Sequence, residues 1–304
     1  MTKYTFIVNP EAGRGHGRKL LEPLQNELKS RNVDHQLFLT SRAGEAFELA
    51  RNGSGSVVVS VGGDGTLNEV ANGLGGRNCA LGIVPAGSGN DFIKSLRYPK
   101  GLSDALDIIM AGRIRQVDAG VVTCTATSPD ASTVETHKRL FLNGVGVGFD
   151  AEVAAKMRTI RYLSGAAVYL LAVLQTLGKY RAPLFTIAID GVERSGHNLL
   201  IAIGNGRCAG GRFYLTPDAV VDDGLLDLCV IKDLTVARIL RLMPLVMVGR
   251  HRNVKEVSLL RSSEGIRIDS AQRFFVHADG EMVGEGVNHV EISLKRKHLP
   301  ILTA

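Results

Sequence analysis

The sequence predicts an open α/β domain followed by a C-terminal antiparallel β-sandwich domain. Three observations lead there. Strands and helices alternate over the first third of the 304 residues, and the strand candidates at 56–61 and 80–84 are apolar enough to be covered on both faces. Near residue 115 the alternation stops, and a Ser/Thr-rich stretch over 123–136 separates two extended runs. From residue 184 onward short strands dominate, the pattern of a sandwich or barrel. A composition of 45% hydrophobic and 22% charged residues excludes a disordered or collagen-like chain.

In chain order, residues 4–9 form a strand and 10–17 a turn. A helix carrying Leu20, Leu21, Leu24 and Leu28 follows, and Pro23 requires that it begin close by. Residues 33–39 are a second strand and 43–51 a second helix. After strand 56–61, glycines at 62–65 turn the chain into a helix with Leu67, Val70, Ala71 and Leu74. Strand 80–84 and helix 101–112 complete the pattern. Later strands are expected at 184–190, 199–204, 225–231, 254–260, 265–269, 274–278 and 287–294. Helical insertions are expected at 151–177 and at 235–248, with Pro244 inside the second. The basic run 295–298 reads as a solvated tail. Domain limits are set at 1–130 and 131–295, with 296–304 free to return to the first domain.

The longest strictly apolar run, 166–174, is too short for a hydrocarbon core that needs about 20 residues. The N-terminus has no signal-peptide stretch, so a soluble, cytoplasmic chain is expected. Cys79, Cys124, Cys208 and Cys229 are far apart and read as buried thiols, not as a zinc site or disulfide frame. The net charge is +6, and between Lys232 and Lys255 six basic residues face one acid, Asp233. Such an excess suits phosphorylated ligands, anionic lipid or nucleic acid. The absence of Trp, the 5% aromatic content and the lack of any recognised module weigh against nucleic acid.

The strongest local feature is Gly62-Gly63-Asp64-Gly65-Thr66-Leu67-Asn68 after a β-branched strand. Glycines let the backbone approach a ligand, and the following helix presents unpaired N–H groups, so the loop suits a phosphate. The plainer reading is a tight turn with Thr66 as N-cap. Asp64 would repel a phosphate unless magnesium lies between them, which points to a magnesium–nucleotide. Two more loops, from Asn9-Pro10 to Gly13 and from Pro85 through Gly87-Ser88-Gly89-Asn90-Asp91, follow strands of the same sheet. Ligands of open parallel sheets bind beyond the carboxyl ends of the strands, so all three can line one crevice. No G-x-x-x-x-G-K-[ST] is present. The G-x-G-x-x-A spacing at 204–209 is discounted because no helix pattern follows it.

Gly62-Gly63-Asp64-Gly65-Thr66 resembles the nucleotide loop of diacylglycerol, sphingosine, ceramide and NAD kinases and of phosphofructokinases. Gly87-Ser88-Gly89-Asn90-Asp91-Phe92 resembles the G-T-x-N-D-F of the lipid-kinase branch, with Ser88 keeping the hydroxyl of the usual Thr. Stretches 143–150, 204–211 and 217–224, and Asp279-Gly280-Glu281, are also similar to that family, in its compact bacterial two-domain form. The resemblance implies an N-terminal nucleotide-binding domain, a C-terminal sandwich and an active site in the cleft between them. It implies ATP contacts from Asn9, Pro10, Gly13, Thr40, Gly62, Gly63, Asp64, Gly65, Thr66, Leu67, Asn68 and Ser88. Asp64 and Asp91 would hold the nucleotide magnesium through water. A separate magnesium is implied at Asp223 with the carbonyls of Val220 and Leu225.

Phosphoryl transfer to an alcohol needs a group that accepts the hydroxyl proton. Asp279 and Glu281 are the candidates, on one side if the segment is extended. Spacing alone favours a hairpin turn at Asp279-Gly280, and which carboxylate is the base stays open. The function expected is an ATP- and Mg-dependent lipid kinase acting on a membrane lipid such as diacylglycerol. The alternatives are a soluble NAD-kinase-like enzyme and a non-catalytic nucleotide- or lipid-binding regulator. Peripheral contact with the inner membrane face is expected from two basic-plus-apolar helices, one with Lys156, Arg158 and Arg161, the other within 232–255. A homodimer is left open.

Overall fold

A computed structural model describes residues 3–304 apart from 76, 78, 128–133, 158 and 161–165. The chain divides into two compact units. The first comprises Met1–Ala119, Val221–Asp223 and Arg296–Ala304; the second comprises Gly120–Val220 and Gly224–Lys295.

The first unit opens with β1 (Tyr4–Val8), α1 (Ala12–Lys19), α2 (Leu21–Ser30), β2 (His35–Leu39) and α3 (Glu45–Asn52). It continues with β3 (Val57–Gly62), α4 (Asp64–Leu74), β4 (Ala80–Pro85), α5 (Asp91–Leu96) and α6 (Leu102–Ala111). Every residue of β3 and β4 is buried, as in a parallel sheet covered on both faces. The strands run parallel in the order β2-β1-β3-β4. The order reverses between β1 and β3, and the crevice beyond their carboxyl ends is where such sheets bind ligands.

Two local readings change. The stretch expected as a turn contains α1, broken by left-handed backbone at Gly13, Arg14 and Gly15 (φ 58°, 60° and 84°). A short helix, α5, forms where only a loop was expected. Pro23 falls in the first turn of α2, where its missing N–H leaves no bond unmade.

The chain leaves the first unit along β5 (Ile114–Thr127), which forms an antiparallel hairpin with β6 (Val134–Phe141). Then come β7 (Gly144–Gly148), α7 (Phe149–Met157), α8 (Ala166–Leu177), β8 (Leu184–Ile189), β9 (Val192–Gly204) and β10 (Leu226–Lys232). After these follow α9 (Val236–Met247), β11 (Val257–Ser262), β12 (Ile266–Ala278) and β13 (Glu281–Leu302). Within the second unit, β9 and β12 each pair with β8 along one half and with β7 along the other. The strands thereby wrap a core that includes Phe141, Phe185, Ile201, Leu228, Phe274 and Val276. Phe185 and Phe274 meet edge to face at 5.1 Å. A second core joins Phe149, Val173, Ile239, Leu242 and Val246 of the helices to Leu200, Ala202, Cys229 and Ile231 of β9 and β10.

The helix expected over 151–177 is two helices, α7 and α8; Arg158 and Arg161 lie outside the described residues, as does 128–133. The two strands expected at 265–269 and 274–278 are one strand, β12, whose register with β13 shifts between Asp269 and Phe274. The run 295–298 is not a tail but part of β13: the Lys295, Arg296 and Lys297 side chains are exposed, while the Lys297 N–H is donated to Asp118 at 2.6 Å. Strand periodicity with solvated charges hides such a segment. Among the described residues no helix is long and apolar enough to cross a membrane.

Candidate active site

The loops after β1, β3 and β4 leave neighbouring strands, and the backbone keeps them together. Asn9 N–H is donated to Val61 O (2.9 Å), Thr40 N–H to Val8 O (2.9 Å) and Ala86 N–H to Gly62 O (2.8 Å). Beyond these bonds main chain packs on main chain. A Cβ on Gly87 would lie 2.4 Å from the Gly63 Cα, and one on Gly13 would lie 2.2 Å from the Ala86 carbonyl oxygen. Glycine is therefore a packing requirement at this junction. Side chains complete it. Asn9 Nδ2 donates to Thr66 Oγ1 at 3.0 Å. Asn90, left-handed at φ 48°, accepts from Gly87 N–H at 3.1 Å and donates to Gly87 O at 2.8 Å.

Helix α4 starts at Asp64, inside the glycine run, with Gly63 as its cap residue. Thr66 therefore sits in the first turn and is not the N-cap. The first intrahelical bond is Leu67 N–H to Gly63 O at 3.0 Å, so the amides of residues 64–66 precede the helix ladder and point out of its end. The half-exposed Asp64 accepts Phe92 N–H at 3.2 Å, which places its carboxylate at the N-terminal ends of both α4 and α5. Thr66, Leu67 and Asn68 are buried, and Asn68 Oδ1 accepts from Asn72 at 3.1 Å. The side chains of Leu67 and Asn68 are closed off from solvent, and the Leu67 N–H is already taken up by the helix ladder. Pro10 and Gly13 are half-buried, Thr40 is buried and Ser88 is exposed. Asp91 is buried in an ion pair with Lys94 at 2.6 Å, so it is already committed to a cation.

In the second unit, Asp279 and Gly280 form the two-residue turn between β12 and β13, with φ 50° and 83°, and Ala278 pairs with Glu281. The Asp279 carboxylate accepts three main-chain N–H groups, from Leu142 (2.8 Å), Asn143 (2.9 Å) and Gly144 (2.9 Å), and its own N–H is donated to Gly144 O at 2.9 Å. Glu281 is exposed at the start of β13. The segment turns instead of staying extended, so the two carboxylates part: Asp279 braces residues 142–144, and Glu281 faces solvent.

The braced segment is itself tied to the stretch after β9. Asn205 and Gly206 donate their N–H groups to Asn143 O at 2.9 and 2.7 Å, and Asn205 Nδ2 donates to Leu142 O at 2.7 Å. That stretch continues into a turn closed by an Ala209–Phe213 bridge, not a helix, which removes the dinucleotide reading. Sequence reasoning named Asn90 in its loop and put Asn143 and Asn205 in family-like stretches, but assigned no role to any of them. Of these, Asn90 carried a signal, because asparagine tolerates the left-handed backbone a glycine loop needs.

Around the implied second magnesium, the acids are mostly engaged. Asp222 takes a bidentate contact from Arg115 (2.7 and 2.6 Å), and this guanidinium holds its carboxyl below the ordinary carboxylate range. Asp218 pairs with Arg252. Asp223 is exposed, and Val220 and Leu225 are half-buried. Among the described residues no three His, Cys, Asp or Glu side chains converge on a metal position.

Comparison with known proteins covers both units. Residues 3–122 match the diacylglycerol kinase catalytic domain family, and residues 143–300 match the YegS C-terminal NAD kinase beta sandwich-like domain. A Mycobacterium tuberculosis protein named diacylglycerol kinase is 30% identical over 285 residues, covering 92% of this chain and 88% of that one. One of the same name from Bacillus subtilis is 26% identical over 314 residues, covering 98% of each. A crystal structure of a diacylglycerol kinase from Bacillus anthracis superposes with a TM-score of 0.75 at 25% identity, covering 100% of this chain and 97% of that one.

Proposed function

Because the chain belongs to the diacylglycerol kinase family, and is by that membership a lipid kinase, we propose that it transfers the γ-phosphate of magnesium-bound ATP to the hydroxyl of a membrane lipid such as diacylglycerol. The observation that carries this reading is the main-chain contact of Gly63 with Gly87 and of Gly13 with Ala86, which gathers three loops at the β1/β3 switch point.

The residues fit the group. Amides at the start of α4 would donate to phosphate oxygens, and a Cβ at Gly13 or Gly87 would displace the opposing loop. Asp64, at the N-terminal ends of α4 and α5, would hold the magnesium, whereas Asp91 stays with Lys94. The metal, when bound, neutralises charge on the phosphates. Asn9 fixes the loop after β1 by its bond to Thr66. Glu281 is the base that takes the lipid hydroxyl proton, since its carboxylate is exposed while that of Asp279 is engaged by three amides. Asp279 is then a positioning residue that fixes the turn from which Glu281 projects.

The test uses the purified full chain, labelled magnesium–ATP and diacylglycerol in mixed micelles, with NAD as the competing acceptor. Label should enter diacylglycerol. Glu281→Gln should lower kcat about 100- to 10,000-fold with nucleotide affinity kept, whereas Asp64→Asn should weaken both. Undiminished turnover in both variants, or transfer to NAD alone, defeats the assignment.

A further inference from the structure

Helix α9 has one face in the second core through Ile239, Leu242 and Val246. Its other face carries apolar side chains that are partly exposed. Val236 and Leu240 are each 45% exposed, Leu245 is 38% and Val248 just beyond the helix is 61%. Positions 236, 240, 244 and 248 recur every four residues and so form one stripe, with Leu245 beside it. Pro244 lies in that stripe, and its missing N–H leaves the Leu240 carbonyl without its helical donor. A lone exposed Leu means little, but a contiguous apolar stripe marks a contact surface.

The charges around the stripe identify what it contacts. Of the basic residues near α9, Arg238 is held by Glu256 in a bidentate contact (3.2 and 2.9 Å) and Arg252 by Asp218. Lys232, Arg241 and Arg250 are exposed, and among the described residues none has a carboxylate within ion-pair distance. Three unneutralised cations thus lie before, within and after the apolar stripe. A second copy packed two-fold across the middle of this stripe would set Arg241 against its own equivalent, like charge on like. We propose that this face of α9 lies on an anionic bilayer, with Val236, Leu240, Leu245 and Val248 at the headgroup–acyl boundary and Lys232, Arg241 and Arg250 on lipid phosphates. An interfacial helix combines these features: an apolar face of moderate length, basic residues along it, and no capacity to span. The surface deepens the lipid-kinase reading by stating how the chain would reach an acceptor held in a membrane.

Binding is measured by co-sedimentation of the full chain with sucrose-loaded vesicles, independently of turnover. One set is phosphatidylcholine alone; the other contains phosphatidylglycerol. The chain should bind the anionic set and be released by salt. Arg241→Ala with Arg250→Ala should weaken binding about fivefold per residue, Leu240→Ser with Val248→Ser should weaken it as well, and Lys138→Ala on exposed β6 should not. Phosphate transfer to a short-chain, monomeric diacylglycerol should be the same in all these variants. Partition unaltered by both pairs of substitutions, or equal on neutral vesicles, overturns the proposal. So does a wild-type dimer, seen by light scattering, that the apolar pair dissolves. Loss of transfer to every acceptor with vesicle binding intact would instead count against the kinase reading.

Discussion

Replacing Asp279 by alanine withdraws one acceptor from three amides at once. Two of these, from Leu142 and Asn143, belong to buried residues, and the third is from half-buried Gly144. A bond to a charged acceptor contributes about 1.5–3 kcal/mol, and a buried donor left unmet costs about 1–3 kcal/mol. The three share one carboxylate and do not add fully; about 3 kcal/mol is a floor. Alanine at φ 50° adds about 1 kcal/mol of backbone strain, which asparagine largely avoids. Hydrogen exchange read by mass spectrometry reports the brace directly. Protection of amides 142–144 should fall about 100-fold or more in Asp279→Ala, since each 1.4 kcal/mol is tenfold. Asp279→Asn, which keeps the backbone conformation but loses the charge, should fall between. Turnover should decline with protection across the series. Full protection at 142–144 in Asp279→Ala, together with abolished turnover, would refute the bracing role and make Asp279 a reacting group.

Gly87→Ala should destabilise the first unit by about 1–3 kcal/mol through the clash with Gly63 and lower ATP affinity at least about tenfold, as thermal melting and calorimetric titration would record. Asp190 accepts the Ser262 hydroxyl at 2.6 Å and the N–H groups of Ser263, Glu264 and Gly265, and these bonds, that of Ser262 foremost, hold its carboxyl far below the ordinary range. A depressed folded-state value gives stability present above the unfolded carboxyl's titration and lost as pH falls toward the folded one. Asp190→Ala should therefore cost about 2 kcal/mol at pH 7 through lost bonds and about 1 kcal/mol through alanine at φ 48°; only the first part shrinks in melts run below about pH 4. Burial pushes the Cys124 thiol up to about 12, so it should resist iodoacetamide at pH 8 until the chain is unfolded; rapid alkylation of the native protein would contradict that burial.

The open α/β half was legible because its signals are local. Residues 56–61 and 80–84 fall on β3 and β4, and the glycine run beside Asp64 starts α4. The six-residue α5 was not, since it is too short to show a helical period. Nor was the length of β13, whose exposed charges at 295–297 mimic a solvated segment although its backbone is paired. For the site, residue types singled out Asp64, Asp279 and Glu281, but their division of labour was hidden. It depends on amides 135 to 137 positions from Asp279, and no spacing rule reaches that far. The two Asp-Gly turns teach the same lesson. Asp190 and Asp279 each precede a glycine in a left-handed turn, and each carboxylate then binds a distant loop. Turn chemistry was readable; the second use of the side chain was not.

Leu81 of β4 takes Ile301 as its parallel neighbour. A ribosome must therefore deliver nearly all the intervening polypeptide before the sheet that begins at Tyr4 gains its last strand. Until then the flank of β4 has ladder groups to offer, and a nascent chain must shield them or risk pairing with a neighbour. A fragment cut near residue 130 would keep that flank bare, whereas a circular permutant carrying 296–304 ahead of β1 would synthesise the missing edge first.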